Sequence, residues 1–270
     1  MTIPLLSYHG VSTPGRGPEN TTGVFFWVSA DRQHPSAPPV TLLDGSLVNT
    51  WYDQSYYDHH VFGTLTARPS LVNNDVSCGD NSLDTILFDG HDDKLQSAPI
   101  PEESLEFTTQ VQFSVHIAFI AGTNTDGTMF SIHDTGNNRD GISVSLIPGS
   151  VVGRISLGLN CGEGHYIPTV FSLPAGLVYN DTHVHTLSFV YNQNLPSNQL
   201  TLTTDGNQVA VSLDTSGLFA GSRTITLGQY GNSLSYPFSG KLLEVIAQFT
   251  GSEDERAVVY NYFQRRWCAP

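Results

Sequence analysis

The chain has 270 residues, 39% of them hydrophobic and 13% charged, with a formal net charge of −14. It is too apolar and too weakly charged for a disordered polymer, and long enough to bury a sizeable core in one β domain. Its acidity excludes nucleic acid as a partner, because such a surface repels phosphate, and it disfavours anionic lipid.

In chain order, residues 1–23 read as an N-terminal extension. Met1 to Leu6 has no basic stretch and no long apolar run, so no export signal is expected. Val24 to Val28 is the first apolar run, and Gln33 to Pro39 is turn-like. Ile86 to Phe88 reads as a short strand. Val111 to Ile120 is the strongest: Val111, Phe113, Val115, Ile117 and Phe119 share one parity, while Gln112, Ser114 and His116 share the other. A period of two puts the first set on a buried face. Met129 to Ile132, Ile142 to Ile147 and Arg154 to Leu159 read as strands between Asn, Gly and Pro. His183 to Tyr191 alternates again. Leu200 to Thr204 and Gln208 to Leu213 flank Asp205-Gly206, a hairpin signal because Gly takes the positive φ of the turn. Thr224 to Leu227 and Lys241 to Phe249 complete the strands. The period then changes. Ser252 to Glu255 reads as a capping box, and Val259, Phe263 and Trp267 recur at i, i+4, i+8 over residues 252–267. That is one amphipathic helix with an aromatic stripe aimed at the sheets. Trp27, Trp51 and Trp267 are expected in the core. No repeat or low-complexity tract divides the chain, so one domain over 1–270 is expected, all-β with a short C-terminal helix.

Several segments carry a resemblance. Phe26-Trp27-Val28-Ser29-Ala30-Asp31, Val48-Asn49-Thr50-Trp51-Tyr52-Asp53-Gln54-Ser55, Ala67-Arg68-Pro69 and Phe88-Asp89-Gly90-His91-Asp92-Asp93-Lys94-Leu95 follow one another in order. Phe238 to Ile246 and Ser252 to Trp267 close the series. In order and spacing these resemble the concanavalin A-like, laminin-G-like domains of phage, viral and marine bacterial surface proteins. The resemblance implies an antiparallel jelly-roll β-sandwich and a tendency to bind glycans. One departure stands out: Tyr56-Tyr57-Asp58-His59-His60 replaces the family's Gly-Asn-Gly.

Chemistry is sparse. The Glu-x-Asp-x-x-Glu strand of β-glucan-cleaving enzymes of this fold is absent. Glu244 stands alone on the closing strand as a structural carboxylate, and Glu102, Glu103 and Glu106 read as a solvated cluster. There is no Gly-x-Ser-x-Gly elbow and no phosphate loop. The cysteines Cys78, Cys161 and Cys268 carry no motif and allow one disulfide at most. His183 and His185 could accept zinc on one strand face or end a buried stripe. Laminin-G-like folds often carry calcium at a rim, and Asp126, Asp134, Asn137, Asn138 and Asp140 form an oxygen-rich loop candidate for it; the same residues are ordinary turn formers. Sugar binding needs flat aromatic faces with amides and carboxylates. The candidates are Tyr56, Tyr57, His59 and His60, then His165 and Tyr166, then Tyr230 and Asn232, all weighed against core-edge or subunit contacts.

The expectation is a non-catalytic surface-binding or display protein: a capsid-decorating or fibre-head protein of a virus particle with glycan-binding capacity. A free carbohydrate-binding module or lectin of a secreted protein is the alternative, and a glycan-cleaving enzyme ranks third. Expected partners are a glycan or cell-surface polysaccharide, capsid or fibre proteins and further copies of the chain. Neither nucleic acid nor membrane insertion is expected, and the expected location is a virion surface or the extracellular space.

Overall fold

The structure, a computed structural model, describes residues 18, 21, 23–31, 43–64, 66–78, 81–101, 112–122, 127–134, 141–147, 150–156, 167–172, 182–192, 194–195, 197, 200–211, 222–230, 236–249 and 253–267. Sixteen strands precede one helix. They are β1 (Val24–Ser29), β2 (Thr50–Trp51), β3 (Val61–Gly63), β4 (Ser70–Cys78), β5 (Asn81–Asp89), β6 (Leu95–Ser97), β7 (Gln112–Ala121) and β8 (Gly127–Asp134). Then come β9 (Gly141–Ile147), β10 (Ser150–Ser156), β11 (Ile167–Ser172), β12 (His185–Asn192), β13 (Leu200–Thr204), β14 (Asn207–Val211), β15 (Arg223–Leu227) and β16 (Ser239–Phe249). The helix α1 is Glu253–Arg266.

Two antiparallel eight-stranded sheets form. The first runs β14-β13-β12-β7-β16-β5-β4, and the second β11-β10-β9-β8-β15-β6-β3-β2. One edge of β16 serves two partners in succession: β5 pairs with its residues 239–242, and β1 with 244–248. Between the sheets lie Phe113, Val115, Ile117 and Phe119 of β7, with Leu187, Phe189 and Tyr191 of β12 and Phe130, Ile132, Val144 and Ile225 of the second sheet. Phe25 stacks on Phe249 at 3.8 Å between ring centroids, and Phe26 faces Phe130 at 6.3 Å. The apolar parity expected for this strand therefore faces the partner sheet. Val111 lies outside the described residues.

The other parity of β7 is buried too, because α1 roofs the outer face of the first sheet. Val259, Phe263 and Trp267 pack there on Val24, Trp27, Ala118, Leu243 and Ile246. His116 lies beneath, 5.9 Å from the Phe263 ring. A β-bulge between Leu242 and Glu244 sets the second half of β16. Leu242 joins the intersheet core and Ile246 the helix-side cluster. Simple alternation puts these two residues on one face; the bulge separates them and turns Leu243 and Glu244 both outward.

At the hairpin, Asp205 (φ 45°) and Gly206 (φ 79°) both take the left-handed conformation that a tight turn requires. β5 extends well beyond Ile86 to Phe88. β10 is described from Ser150 to Ser156, and residues 157–159 of the expected strand lie outside the described residues, as do the Ser252 cap and residues 102–106. Five strands carry no periodic signal that marks them in sequence: β2, β3, β4, β6 and β11. β4, with Asn73, Asn74 and Asp75 in its middle, reads as loop but is held by backbone pairing to β5. Among the described residues no helix is long and apolar enough to cross a membrane.

Candidate functional site

The connection from β2 to β3 is built around a buried carboxylate. Asp53 Oδ1 accepts the Trp27 N–H at 2.7 Å and the Ser55 N–H at 2.9 Å. Its Oδ2 accepts the His59 N–H at 2.7 Å and lies 2.7 Å from Ser55 Oγ. The Ser55 hydroxyl shares its single proton between that oxygen and Phe25 O at 3.0 Å. The Gln54 N–H reaches Trp27 O at 2.6 Å, and the Asp53 N–H reaches His60 Nδ1 at 3.2 Å. Burial pushes the Asp53 carboxyl above its ordinary range, and the donors from Ser55, Trp27 and His59 oppose that shift. A loop that reads as featureless polar sequence is thereby bolted to β1 at its first end, and its second end is drawn back onto the same Asp53.

The bolting decides which rings turn outward. Asp58 takes φ 54°, a left-handed conformation that Asp tolerates, and the chain reverses there. Tyr56 is 92% exposed and Tyr57 44%. Their rings meet edge to face at 5.9 Å, and Tyr57 stacks on His59 at 5.8 Å with 21° between planes. Burial lowers the His59 pKa, outweighing the nearby Asp53 and Asp58 carboxylates, so the ring is neutral at pH 7. His60 turns inward, its ring edge-on to Tyr52 at 5.1 Å. The structure therefore brings Tyr56 and Tyr57 together as an exposed aromatic step backed by the half-buried His59, and makes His60 part of the anchor. Tyr230 is half-buried after β15, with β6 between that strand and β3. His165, Tyr166 and Asn232 lie outside the described residues.

The metal candidates fare differently. Asp134 ends β8, while Asp126, Asn137, Asn138 and Asp140 lie outside the described residues. His185 is buried at the start of β12, with Nδ1 2.8 Å from Asp205 Oδ2, whereas His183 is exposed ahead of the strand. Among the described residues a single group of three metal-type ligands converges, Asp89, Asp92 and Asp93. Three oxygens fall short of the six to eight that calcium takes. Asp93 and Asp89 already accept turn N–H groups, from Asp89 and His91, at 2.8 Å each. The turn itself accounts for the cluster, and no ion is assigned to it.

Glu244 is structural, as the lone strand carboxylate suggests. It is fully buried beneath α1. Oε1 accepts from Trp27 Nε1 at 2.7 Å and Tyr262 OH at 3.1 Å, and Oε2 from Trp267 Nε1 at 2.6 Å. Arg266 Nε lies 3.1 Å from Oε2, and its Nη2 donates to both oxygens of Asp31 at 2.5 and 2.6 Å. These contacts tie Glu244 to β1, the helix and the residue after it, which is the role of a structural carboxylate.

Sequence reasoning misses one further feature. A transverse row of polar residues crosses the outer face of the second sheet: Ser143, Ser131, Thr226 and Gln96 stand opposite one another in turn. The signal is readable as hydroxyl parity in Ser131/His133, Ser143/Ser145 and Thr224/Thr226, interleaved with apolar core residues.

No protein-family model and no curated protein matches the sequence. Solved structures do. A crystal structure of a tryptophan-to-alanine mutant of HCR/D superposes with a TM-score of 0.58 at 10% identity, over 92% of this chain and 56% of that one. The present chain thus spans little more than half the length of that structure. A Ruminococcus gnavus sialidase CBM40 bound to sialyllactose gives 0.46 at 14% identity, over 64% and 94%. Domains LG4-5 of the mouse laminin α1 chain give 0.40 at 20% identity, over 62% and 42%. The chain is an antiparallel jelly-roll β-sandwich closed by one C-terminal helix.

Proposed function

We propose that this protein is a non-catalytic glycan-binding protein whose contact surface is the aromatic step at Tyr56, Tyr57 and His59. The observation that carries the reading is the coupling of a 92% exposed Tyr56 to a loop anchored by four contacts to one buried carboxylate. An aromatic ring held in water by a rigid support loses little entropy on binding and offers a flat face to sugar C–H groups. Residues 1–270 act as one domain, with 1–23 as an extension and 252–267 as the closing helix. Its setting is outside the cell or on a particle surface, as a capsid-decorating or fibre-head protein that displays the loop in several copies. The net charge of −14 supports that setting, since it keeps a densely displayed protein soluble.

A glycan array on the purified chain tests the reading. Saccharide binding is expected, weakened about tenfold or more by Tyr56→Ala together with Tyr57→Ala, with the thermal midpoint unchanged. Binding indifferent to both substitutions ends the assignment of the loop. Release of reducing sugar from any bound glycan ends the non-catalytic reading. Light scattering tests the display role, for which a symmetric oligomer is expected and a strict monomer counts against it.

A further inference from the structure

The outer face of the first sheet is only partly roofed by α1. Beyond Trp267 the same face opens into a groove of about 780 Å³, within the ~300–1,000 Å³ of small-molecule sites. Its floor crosses the adjacent strands β4, β5, β16 and β7 and reaches the approach to β12. Lys241 stands there between its strand partners Leu87 and Ile120.

One ion pair lies in this floor. Lys241 Nζ is 2.7 Å from Asp75 Oδ1 and 2.6 Å from Oδ2, and Thr85 Oγ1 donates to Oδ2 at 2.8 Å. The two side chains are 28% and 16% exposed. Withdrawing such a pair from water returns little stability. An ammonium has three protons, and one carboxylate takes two of them at most, so a donor is left for the groove beside an acceptor with spare lone pairs. Val76, Val184 and Ile120 supply apolar walls. Asp75 and Asp89 offset Lys241, so an anionic ligand finds no net attraction.

A donor and an acceptor side by side match the vicinal hydroxyls of a sugar ring, and apolar walls match its C–H face. We infer that this groove is a second saccharide subsite, separate from the 53–60 loop, which takes the end of a neutral glycan with its hydroxyls bridging Lys241 and Asp75. The class of ligand rests on the glycan-binding reading, but the site does not rest on the loop.

Amide chemical-shift mapping with maltotriose, cellotriose, mannotriose and sialyllactose tests it on the full chain. A neutral trisaccharide is expected to shift amides at 120–122, 182–184 and 239–241. Asp75→Asn with Lys241→Met, which leaves no unpaired charge, is expected to weaken that binding about tenfold or more. Val184→Trp fills the groove with the ion pair intact and is expected to do the same. Tyr56→Ala is expected to leave the groove shifts in place, so loss of the loop site and loss of the groove site read separately. No groove shifts with any neutral sugar, shifts that survive both groove variants, or tighter binding of sialyllactose there would each overturn the inference.

Discussion

His116 has protein on every side. Its Nδ1 lies 2.8 Å from Ser188 Oγ, the Phe263 and Tyr260 rings cover it, and Nε2 has no hydrogen-bond partner among the described residues. Burial pulls its pKa from 6.5 down to about 4. The unfolded chain therefore binds this proton first, and stability falls as pH drops from about 6.5 to about 4, by up to about 3 kcal/mol. Asp93 works in the opposite sense: burial raises it from 3.8 to about 6, so the folded state takes up its proton first and gains as pH falls through that window. The difference between the parent protein and His116→Leu isolates the imidazole. Urea titrations at pH 7 and pH 4.5 should show the variant losing less stability on acidification. Equal losses would mean that the His116 proton is not linked to folding. Asp53 belongs to this scale as well. Asp53→Ala strands the N–H groups of Trp27, Ser55 and His59, each worth about 1–3 kcal/mol when left unpaired. It should lower stability by several kcal/mol, as read by urea unfolding, and abolish saccharide binding although both tyrosines remain.

α1 is held by chemistry as well as by its stripe. Trp27 of β1 and Trp267 after the helix both donate to Glu244 of β16, so one carboxylate ties together three elements separated along the chain. Replacing Glu244 with Leu leaves two indole N–H groups and the Tyr262 hydroxyl without their acceptor, and leaves Arg266 with Asp31 as its one carboxylate among the described residues. Breaking a buried charged contact in this way costs about 3–5 kcal/mol. Trp267→Ala should cost a similar amount through the cavity it leaves. The double variant should lose less than the sum, because both changes break the same contact. Urea unfolding with a constant slope checks all three. The stripe Val259, Phe263 and Trp267 is legible at helical spacing. The anchor is not, since Asp31, Glu244 and Arg266 are hundreds of residues apart in part and carry no mutual spacing signal.

At the scale of the molecule, β1 completes the first sheet only by pairing with β16, some two hundred residues later. Loop closure of that length must precede the reward of contact, so folding is expected on the slow side of the millisecond-to-second range of β-rich domains. Stopped-flow fluorescence of the buried Trp27, Trp51 and Trp267 checks this; completion within microseconds would contradict it. Alternation, the Asp205-Gly206 turn and the terminal helical period are local, since each depends on residues a few positions apart, and from them the sequence by itself determined an all-β sandwich closed by a helix. The bulge in β16, the second burial of β7 beneath α1 and the pairing that makes β4 a strand were decided only in the tertiary structure. The same holds for the two candidate sites. Tyr56 and Tyr57 are readable as a departure from the resembled pattern, but their outward aim comes from Asp53 gripping β1. Asp75 and Lys241 meet only because β5 pairs with both β4 and β16, so that the two side chains reach each other across it, a relation that no local pattern encodes.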